Sequence, residues 1–276
     1  MLRSPLYTCP PPYREGEGCS IRGLNMVSFR QLLAEMHSSP LYRHVTAGLW
    51  QRNLSIRNQF CDAVVTSGLL SWDQMVSAAC RYCIGSSRKG GVIFWQIDTE
   101  GRVHDGKVMY YLPDCHRNKD KRYHPTWISD IKMRKNRFPG ATHTSCHCFF
   151  GLHQLIPLFK DNREELLQKP VVIVEAEKTA FVLSERYPQY TWLAAGGMGE
   201  VQVDKFRQLR GHKVLMMPDT DLDGLAFKRW YDAAQTVMQQ SFWEDSPPIN
   251  VSAFLEKNAS HDQKQRKIDI LDYLYE

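Results

Sequence analysis

Acidic residues follow two short apolar runs in the second half of the chain. Glu175 follows the run V-V-I-V at 171–174, and Asp219 and Asp221 follow V-L-M-M at 214–217. Short apolar runs of this kind suit buried parallel strands, which are covered on both faces. In an open α/β sheet, ligand-binding residues lie just beyond the carboxyl ends of the strands. We therefore expect Glu175, Asp219 and Asp221 to converge as a carboxylate cluster that holds Mg²⁺ or Mn²⁺.

The motif D-T-D-L-D-G at 219–224 is compatible with several kinds of site, and the sequence excludes two of them. A calcium-binding EF-hand loop needs a glutamate at its twelfth position, which is Trp230 here. A haloacid-dehalogenase-type phosphatase needs a threonine where Asp223 stands. We assign Asp223 as a further metal ligand, with the alternative that it only favours a helix N-terminus electrostatically. The sequence G-G-M-G at 196–199 is not a dinucleotide fingerprint, and no G-K-[ST] phosphate-binding motif occurs.

Alternating strands and helices are predicted around these acids. Helical composition follows each apolar run, over 179–186 and 225–239, so residues 169–276 are predicted to form an α/β domain with a mainly parallel sheet flanked by helices. Residues 249–254 are a further strand candidate. The polar run 256–267 is predicted to be a mobile loop, and I-D-I-L-D-Y-L at 268–274 is predicted to be a closing helix.

Residues 46–168 are predicted to form a smaller α+β domain. Ser71 followed by Gln74 fits a capping box, so a helix should begin there and run to about Cys80. Residues 91–112 show strand-like runs broken by turn signals at Asp98–Gly101 and Asp105–Gly106, which predicts an antiparallel meander. Residues 1–45 are predicted to be an N-terminal extension that is partly extended or disordered.

Positive charge is concentrated in one part of the chain. Residues 101–140 contain ten Lys and Arg against four Asp, whereas the net charge of the whole protein is +5. A basic block beside an acidic metal cluster indicates a polyanionic partner. The alternative is a solvated basic loop without a partner.

Hydropathy and cysteine content indicate the cellular compartment in which the protein is expected. No apolar run approaches the roughly 18 residues of a membrane span, so no membrane association is expected. The N-terminal residues contain no continuous apolar segment of the kind that a secretion signal needs. Eight cysteines in 276 residues do not make a disulfide scaffold, which favours a reduced, cytoplasmic location.

The cysteines could also be considered as zinc ligands. Cys80 and Cys83 form one pair and Cys146 and Cys148 another, with His143 and His147 nearby. The two pairs lie in different predicted elements, and Cys83 and Cys148 suit core positions for a small apolar residue. We therefore assign no zinc ligand.

The three motifs of the second half, taken in order, resemble the Toprim domain of the bacterial-primase branch. V-I-V-E-A-E-K-T with Glu175, L-A-A-G-G with Gly196, and D-T-D-L-D-G with Asp219 and Asp221 match its successive elements. The final I-D-I-L-D-Y-L resembles a D-x-x-D-x-L run of primase-like members. Two departures are Ala176, where a glycine usually follows the glutamate, and Thr179, where an aspartate is common. The segment before 171 resembles the β-rich part of primase-like proteins of bacterial mobile elements and phages, with the N-terminal zinc ribbon of those proteins missing or degenerate.

This resemblance implies a primase-like nucleotidyltransferase that uses Mg²⁺ or Mn²⁺, single-stranded DNA and NTPs in mobile-element or phage DNA replication. Asp219 and Asp221 would be the principal metal ligands, and Glu175 a further ligand or a general acid/base. A replicative helicase or relaxase is a possible partner. The alternatives are a Toprim nuclease and a non-catalytic accessory protein that binds single-stranded nucleic acid. The residues assigned to phosphate or nucleic acid are the following basic side chains: Lys178, Lys205, Arg88, Lys89, Lys107, Lys132, Arg134, Lys135 and Arg137.

Overall fold

The computed structural model describes residues 54–134, 147–156 and 167–276. The predicted N-terminal extension, residues 1–45, lies outside these ranges. The described chain is a mixed α/β structure with one antiparallel and one parallel sheet, as predicted. None of the described helices is long and apolar enough to cross a membrane.

The first part of the described chain contains two helices and an antiparallel sheet. Its helices are α1 (Gln59–Thr66) and α2 (Trp72–Tyr82), and the predicted capping box of Ser71 and Gln74 begins α2. The sheet has the order β1–β2–β3–β4. A further helix, α3, follows the sheet. The strands and this helix are β1 (Gly85–Ser86), β2 (Val92–Ile97), β3 (Val103–Met109), β4 (Thr126–Trp127) and α3 (Ile128–Arg134).

One of the two turns predicted in this meander is wrong. The turn at Asp98–Gly101 is confirmed, with the N–H of Gly101 donating to the carbonyl of Asp98 at 3.0 Å. Asp105 and Gly106 instead lie inside β3, where Gly106 pairs with Trp95. A Cβ at Gly106 would lie 2.6 Å from the Trp95 ring. The glycine is therefore required by close packing on the neighbouring strand and not by a turn.

The second part is built on a parallel sheet with the order β6–β5–β7–β8. Residue 174 of β5 pairs with residue 217 of β7, so the two predicted apolar runs are neighbouring parallel strands. The helices that follow β5 and β7 pack against strands of this sheet. The elements are β5 (Val171–Val174), α4 (Glu177–Arg186), β6 (Thr191–Ala194), β7 (Val214–Met217), α5 (Leu225–Met238) and β8 (Asn250–Val251).

The prediction of a mobile loop at 256–267 is wrong. The segment contains most of α6 (Phe254–Asn258) and all of α7 (His261–Arg266), and the chain closes with α8 (Ile270–Tyr275). Helix α7 begins with a capping box of Ser260 and Gln263, a local signal that was present in the sequence. None of the side chains at 256–267 is fully buried, which explains why no hydrophobic period indicated a helix.

A single large hydrophobic cluster joins the two parts. It contains Phe60 and Phe94 from the first part and Phe181 and Trp192 from the second. Tyr82 of α2 donates from its hydroxyl to the carbonyls of Ala180 and Trp192, at 3.1 and 2.8 Å. The predicted domain boundary at 168–169 therefore separates segments that share a core, and side chains of the antiparallel sheet can reach the parallel sheet.

Candidate metal and nucleic-acid site

Glu175 and Asp219 lie at the carboxyl ends of adjacent parallel strands. Glu175 follows β5 and Asp219 follows β7, and the last residues of these two strands, Val174 and Met217, are paired with each other. Oδ1 of Asp219 is buried and has no hydrogen-bond partner among the described residues. A buried carboxylate oxygen without a donor is costly unless a cation or a proton satisfies it.

Burial and repulsion between carboxylates both act at this end of the sheet, and burial is the larger effect. Burial, and then the carboxylates of Glu175, Asp269 and Asp272, raise the pKa of Asp219 well above its usual range. Burial also raises the pKa of Glu175, with Asp269 adding to the effect. Four carboxylates thus influence one another here, and a divalent cation is the ligand that would relieve their repulsion.

The final helix supplies two carboxylates that were not assigned to the site from sequence. Asp269 is the N-cap of α8 and accepts the backbone N–H of Asp272 at 2.8 Å. Its other oxygen accepts a hydrogen bond from the hydroxyl of Thr179. Burial and the neighbouring Asp272 raise the pKa of Asp269. The D-x-x-D pattern was visible in the sequence, but only tertiary packing of α8 on α4 brings it beside Glu175 and Asp219.

Lys178 lies among these acids. Its Nζ is 3.4 Å from Oδ1 of Asp272. Burial opposes its charge, but Asp269 and Asp272 outweigh that effect and raise the pKa of Lys178. Lys178 therefore partly balances the acidic group, and its position is still compatible with contact to a phosphate.

Asp221 does not join Glu175 and Asp219 in the way the sequence predicts. Its Oδ1 accepts the backbone N–H groups of Asp223 and Leu225, both at 3.0 Å, and its Oδ2 accepts that of Ala226 at 2.8 Å. Burial disfavours the ionised form, but these three hydrogen bonds outweigh it and lower the pKa of Asp221. The carboxylate is thus used to satisfy the N-terminus of α5.

Asp223 is exposed beside this helix start. Its position fits the alternative raised for it, an acid near a helix N-terminus. Within the described ranges, no three His, Cys, Asp or Glu side chains are arranged so that they could hold a metal ion together. The described residues therefore do not form the three- or four-carboxylate metal cluster that the sequence predicts.

The residues that are present still fit Mg²⁺. This ion commonly uses one or two protein carboxylates and completes its octahedral shell with water and substrate phosphates. Asp219, through its unpartnered Oδ1, and Glu175 on the adjacent strand are the residues that would hold it.

The glycine-rich turn after β6 borders Glu175. The backbone N–H of Gly196 donates to the Glu175 carbonyl at 2.9 Å, and that of Ala195 donates to the Val174 carbonyl at 2.9 Å. Gly196 has φ +93°, a value that residues with a Cβ rarely adopt. The turn and the strand end are therefore held together by backbone hydrogen bonds.

Two lysines that were predicted to bind nucleic acid form hydrogen bonds within the protein. Lys205 is buried, and its Nζ donates to Oε2 of Glu200 at 2.9 Å and to the carbonyl of Ala195 at 3.3 Å. Lys107 donates to Glu177 and to the carbonyl of Gly196. Both ammonium groups are thus engaged in hydrogen bonds within the protein.

The remaining basic residues are placed differently. Arg88 and Lys89 are exposed in the connection between β1 and β2 and remain available to a polyanion. Lys132 and Arg134 lie on α3, whereas Lys135 and Arg137 lie outside the described residues.

The described cysteines of the two predicted pairs are separated. Cys80, Cys83 and Cys148 are all buried, and each belongs to a different hydrophobic cluster. Cys146 lies outside the described residues. The three thiols thus occupy core positions of the kind expected for small apolar residues.

A pocket of about 160 Å³ opens beside the α5 N-terminus. Acidic, apolar and basic side chains all line it. Its lining consists of Met198, Asp221, Leu222, Asp223, Leu225, Lys264, Gln265 and Lys267.

Fold and site together define a mixed α/β protein with paired carboxylates at the ends of two parallel strands. The chain belongs to the family described as "Domain of unknown function (DUF6371)", whose model matches residues 58–220. The comparison with curated proteins found no match.

Among solved structures, the chain is similar to three primase fragments. The E. coli primase catalytic core is 16% identical with a TM-score of 0.49, and the match covers 85% of this chain and 78% of that one. The DnaG primase catalytic domain bound to ssDNA is 13% identical with a TM-score of 0.47, with coverages of 84% and 77%. The primase fragment of the bacteriophage T7 primase-helicase protein is 18% identical with a TM-score of 0.38, and the match covers 67% of each chain. These are partial similarities of fold, and they assign no role to any residue.

Proposed function

We propose that this protein is a Toprim-type, primase-like nucleotidyltransferase that acts on single-stranded DNA with NTPs and Mg²⁺ or Mn²⁺. The observation that carries the proposal is the buried, unpartnered Oδ1 of Asp219 beside Glu175, at the carboxyl ends of two paired parallel strands. The order of the three sequence motifs supports it independently. Its setting is DNA replication of a mobile element or phage, with a helicase or relaxase as a possible partner.

Residues of this chain would have separate roles in nucleotide transfer. When bound, the divalent cation would neutralise charge on the phosphates of the reacting nucleotide. Asp219 would hold the cation, and Glu175 would either share it or accept the proton of the attacking 3′-hydroxyl. That hydroxyl attacks the α-phosphorus, the bond to the β-phosphate oxygen breaks, and pyrophosphate leaves.

The surrounding side chains would orient the substrate. Lys178, within reach of the acids, would contact a phosphate, while Arg88 and Lys89 on the antiparallel sheet would bind the backbone of the template strand. Asp221 would act indirectly, because it fixes the N-terminus of α5 and thereby the loop that carries Asp219.

Template-dependent synthesis tests the proposal directly. Purified protein incubated with single-stranded DNA, NTPs and Mg²⁺ or Mn²⁺ should yield short oligonucleotides. Asp219→Asn should reduce their formation by about 100-fold or more, because it removes several kcal/mol of charge stabilisation. Asp245→Asn is the matched control, since Asp245 has 84% of its side chain exposed in a surface ion pair and should keep full activity. Equal product from Asp219→Asn and the wild type would remove the proposal.

A second candidate is a non-catalytic protein that binds single-stranded nucleic acid. It is favoured by the lack, within the described residues, of a third metal ligand beside Glu175 and Asp219. It predicts salt-dependent DNA binding that Asp219→Asn does not weaken, with no new or shortened strands under either metal. A Toprim nuclease would instead shorten labelled DNA without any requirement for NTPs, so the same reactions separate all three functions.

A further inference from the structure

The antiparallel sheet reaches across to the glycine turn that borders Glu175. We propose that Lys107 is a positioning residue for the metal site: it holds the Gly196–Met198 turn, which is hydrogen-bonded to the main chain of Glu175. This inference deepens the proposed function and rests on it for the identity of the metal site.

Lys107 connects the two sheets through a single ammonium group. It lies on β3, and its Nζ donates to the carbonyl of Gly196 at 2.7 Å. The same Nζ is 3.1 Å from Oε1 and 3.2 Å from Oε2 of Glu177, the first residue of α4. These three acceptors match the three N–H donors of an ammonium group, and only 14% of the side chain is exposed.

Glu177 is the buried ion-pair partner of Lys107. Its side chain is 3% exposed, and Lys107 is its ion-pair partner among the described residues. A Cβ at Gly196 would lie 3.3 Å from Oε1 of Glu177. The turn therefore packs against the carboxylate that Lys107 neutralises, and a glycine is what permits this close approach.

The turn also contacts the metal site. The backbone N–H of Gly196 donates to the carbonyl of Glu175 at 2.9 Å, so the turn is bonded to the residue that carries the metal-site carboxylate. A chain of contacts thus runs from Lys107 through Gly196 to Glu175. Removal of a group that holds a metal ligand in place typically weakens metal binding by about 10–100-fold.

Two measurements on Lys107→Met test the inference. The first is amide hydrogen exchange of residues 195–200 in the absence of metal, and the second is the Kd for Mn²⁺ by paramagnetic resonance titration. We expect faster exchange in this segment and Mn²⁺ binding weakened by about 10-fold or more. Lys257→Met is the matched control, since Lys257 is exposed on α6 and its loss should change neither quantity.

A second variant distinguishes the positioning role of Lys107 from its role in balancing the charge of Glu177. Lys107→Met alone leaves Glu177 buried and unpaired, which could unfold the protein. The double variant Lys107→Met/Glu177→Gln removes that charge, so it should fold with a Tm close to the wild type. It still lacks the donor to Gly196, so fast exchange and weak Mn²⁺ binding should persist.

The outcomes distinguish this inference from the proposed function. Wild-type exchange in the double variant, or wild-type Mn²⁺ affinity despite fast exchange, would overturn the positioning role. If the wild-type protein itself failed to bind Mn²⁺, the proposed function would fall. The exchange measurement would then still decide whether Lys107 holds the turn.

Discussion

Glu175 raises the pKa of Asp219 from the adjacent strand, although the two residues belong to different strand–helix units. Burial is the larger cause, and Asp269 and Asp272 act in the same direction. The acidic group is thus electrostatically unfavourable without a cation. This is the usual condition of a site that gives up stability for function.

The stability of the metal-free protein should fall as the pH rises above the ordinary carboxyl range of about 4. The raised pKa values of Asp219, Glu175 and Asp269 mean that the folded state keeps protons that the unfolded state has already released. The resulting stabilisation is complete below the unfolded-state pKa and is lost as the pH passes the folded-state values. Denaturation midpoints measured from pH 4 to pH 8 would show this slope.

Asp219→Asn should flatten that pH profile and raise the Tm by a few degrees near neutral pH. Millimolar Mn²⁺ should flatten the wild-type profile but not that of the variant. Asp245→Asn serves again as the control, because its exposed side chain should leave the slope unchanged. A variant that is less stable than the wild type at pH 8 would contradict the repulsion argued here.

Asp221→Ala should lower the free energy of unfolding by about 1–2 kcal/mol, as expected for the loss of a helix cap. The cause is the loss of three hydrogen bonds from the start of α5 to Asp221. Asp223→Ala, beside it and exposed, should change stability by less than about 0.5 kcal/mol. Urea denaturation measures both variants.

The same region tests which aspartate binds metal. Asp221→Asn keeps a side-chain oxygen for the helix and should retain Mn²⁺ affinity within a few-fold, whereas Asp219→Asn should lose it. Loss of Mn²⁺ binding in Asp221→Asn at full stability would make Asp221 a direct ligand, as the sequence predicts.

Lys205→Met should destabilise the fold without changing DNA binding. It removes the donor to Glu200 and Ala195 from a buried position, at a cost of about 1–3 kcal/mol. The salt dependence of binding to single-stranded DNA should stay at the wild-type slope. A stable variant with a shallower slope would mean that Lys205 binds phosphate after all.

Arg88→Met/Lys89→Met should behave in the opposite way. Both side chains are exposed, so stability should change by less than about 0.5 kcal/mol. The slope of log affinity against log salt should fall by about 0.7 for each phosphate that the protein no longer neutralises. Fluorescence anisotropy over a salt series measures it, with Lys257→Met as the control for removal of one exposed charge.

Local elements and the positions of Glu175 and Asp219 follow from the amino-acid sequence alone. The buried runs 171–174 and 214–217 are strands because continuous apolar residues need cover on both faces, and the capping box at Ser71 begins α2 through bonds within one turn. Parallel pairing then places Glu175 and Asp219 at one edge of the sheet. Such features depend on neighbours in the chain or on a single rule of sheet geometry.

Which side chains act together at that edge depends on the packing of elements that are distant in the chain. Asp221 accepts hydrogen bonds from the start of the helix that follows it. Asp269 and Asp272 belong to the final helical segment, which packs on α4. Lys107 lies on the antiparallel sheet and donates to the carbonyl of Gly196. Each of these outcomes depends on how distant elements pack. A lysine or aspartate has the same local pattern whether it faces solvent, a helix end or a buried partner, so its role is set by the groups that the fold brings within hydrogen-bond distance.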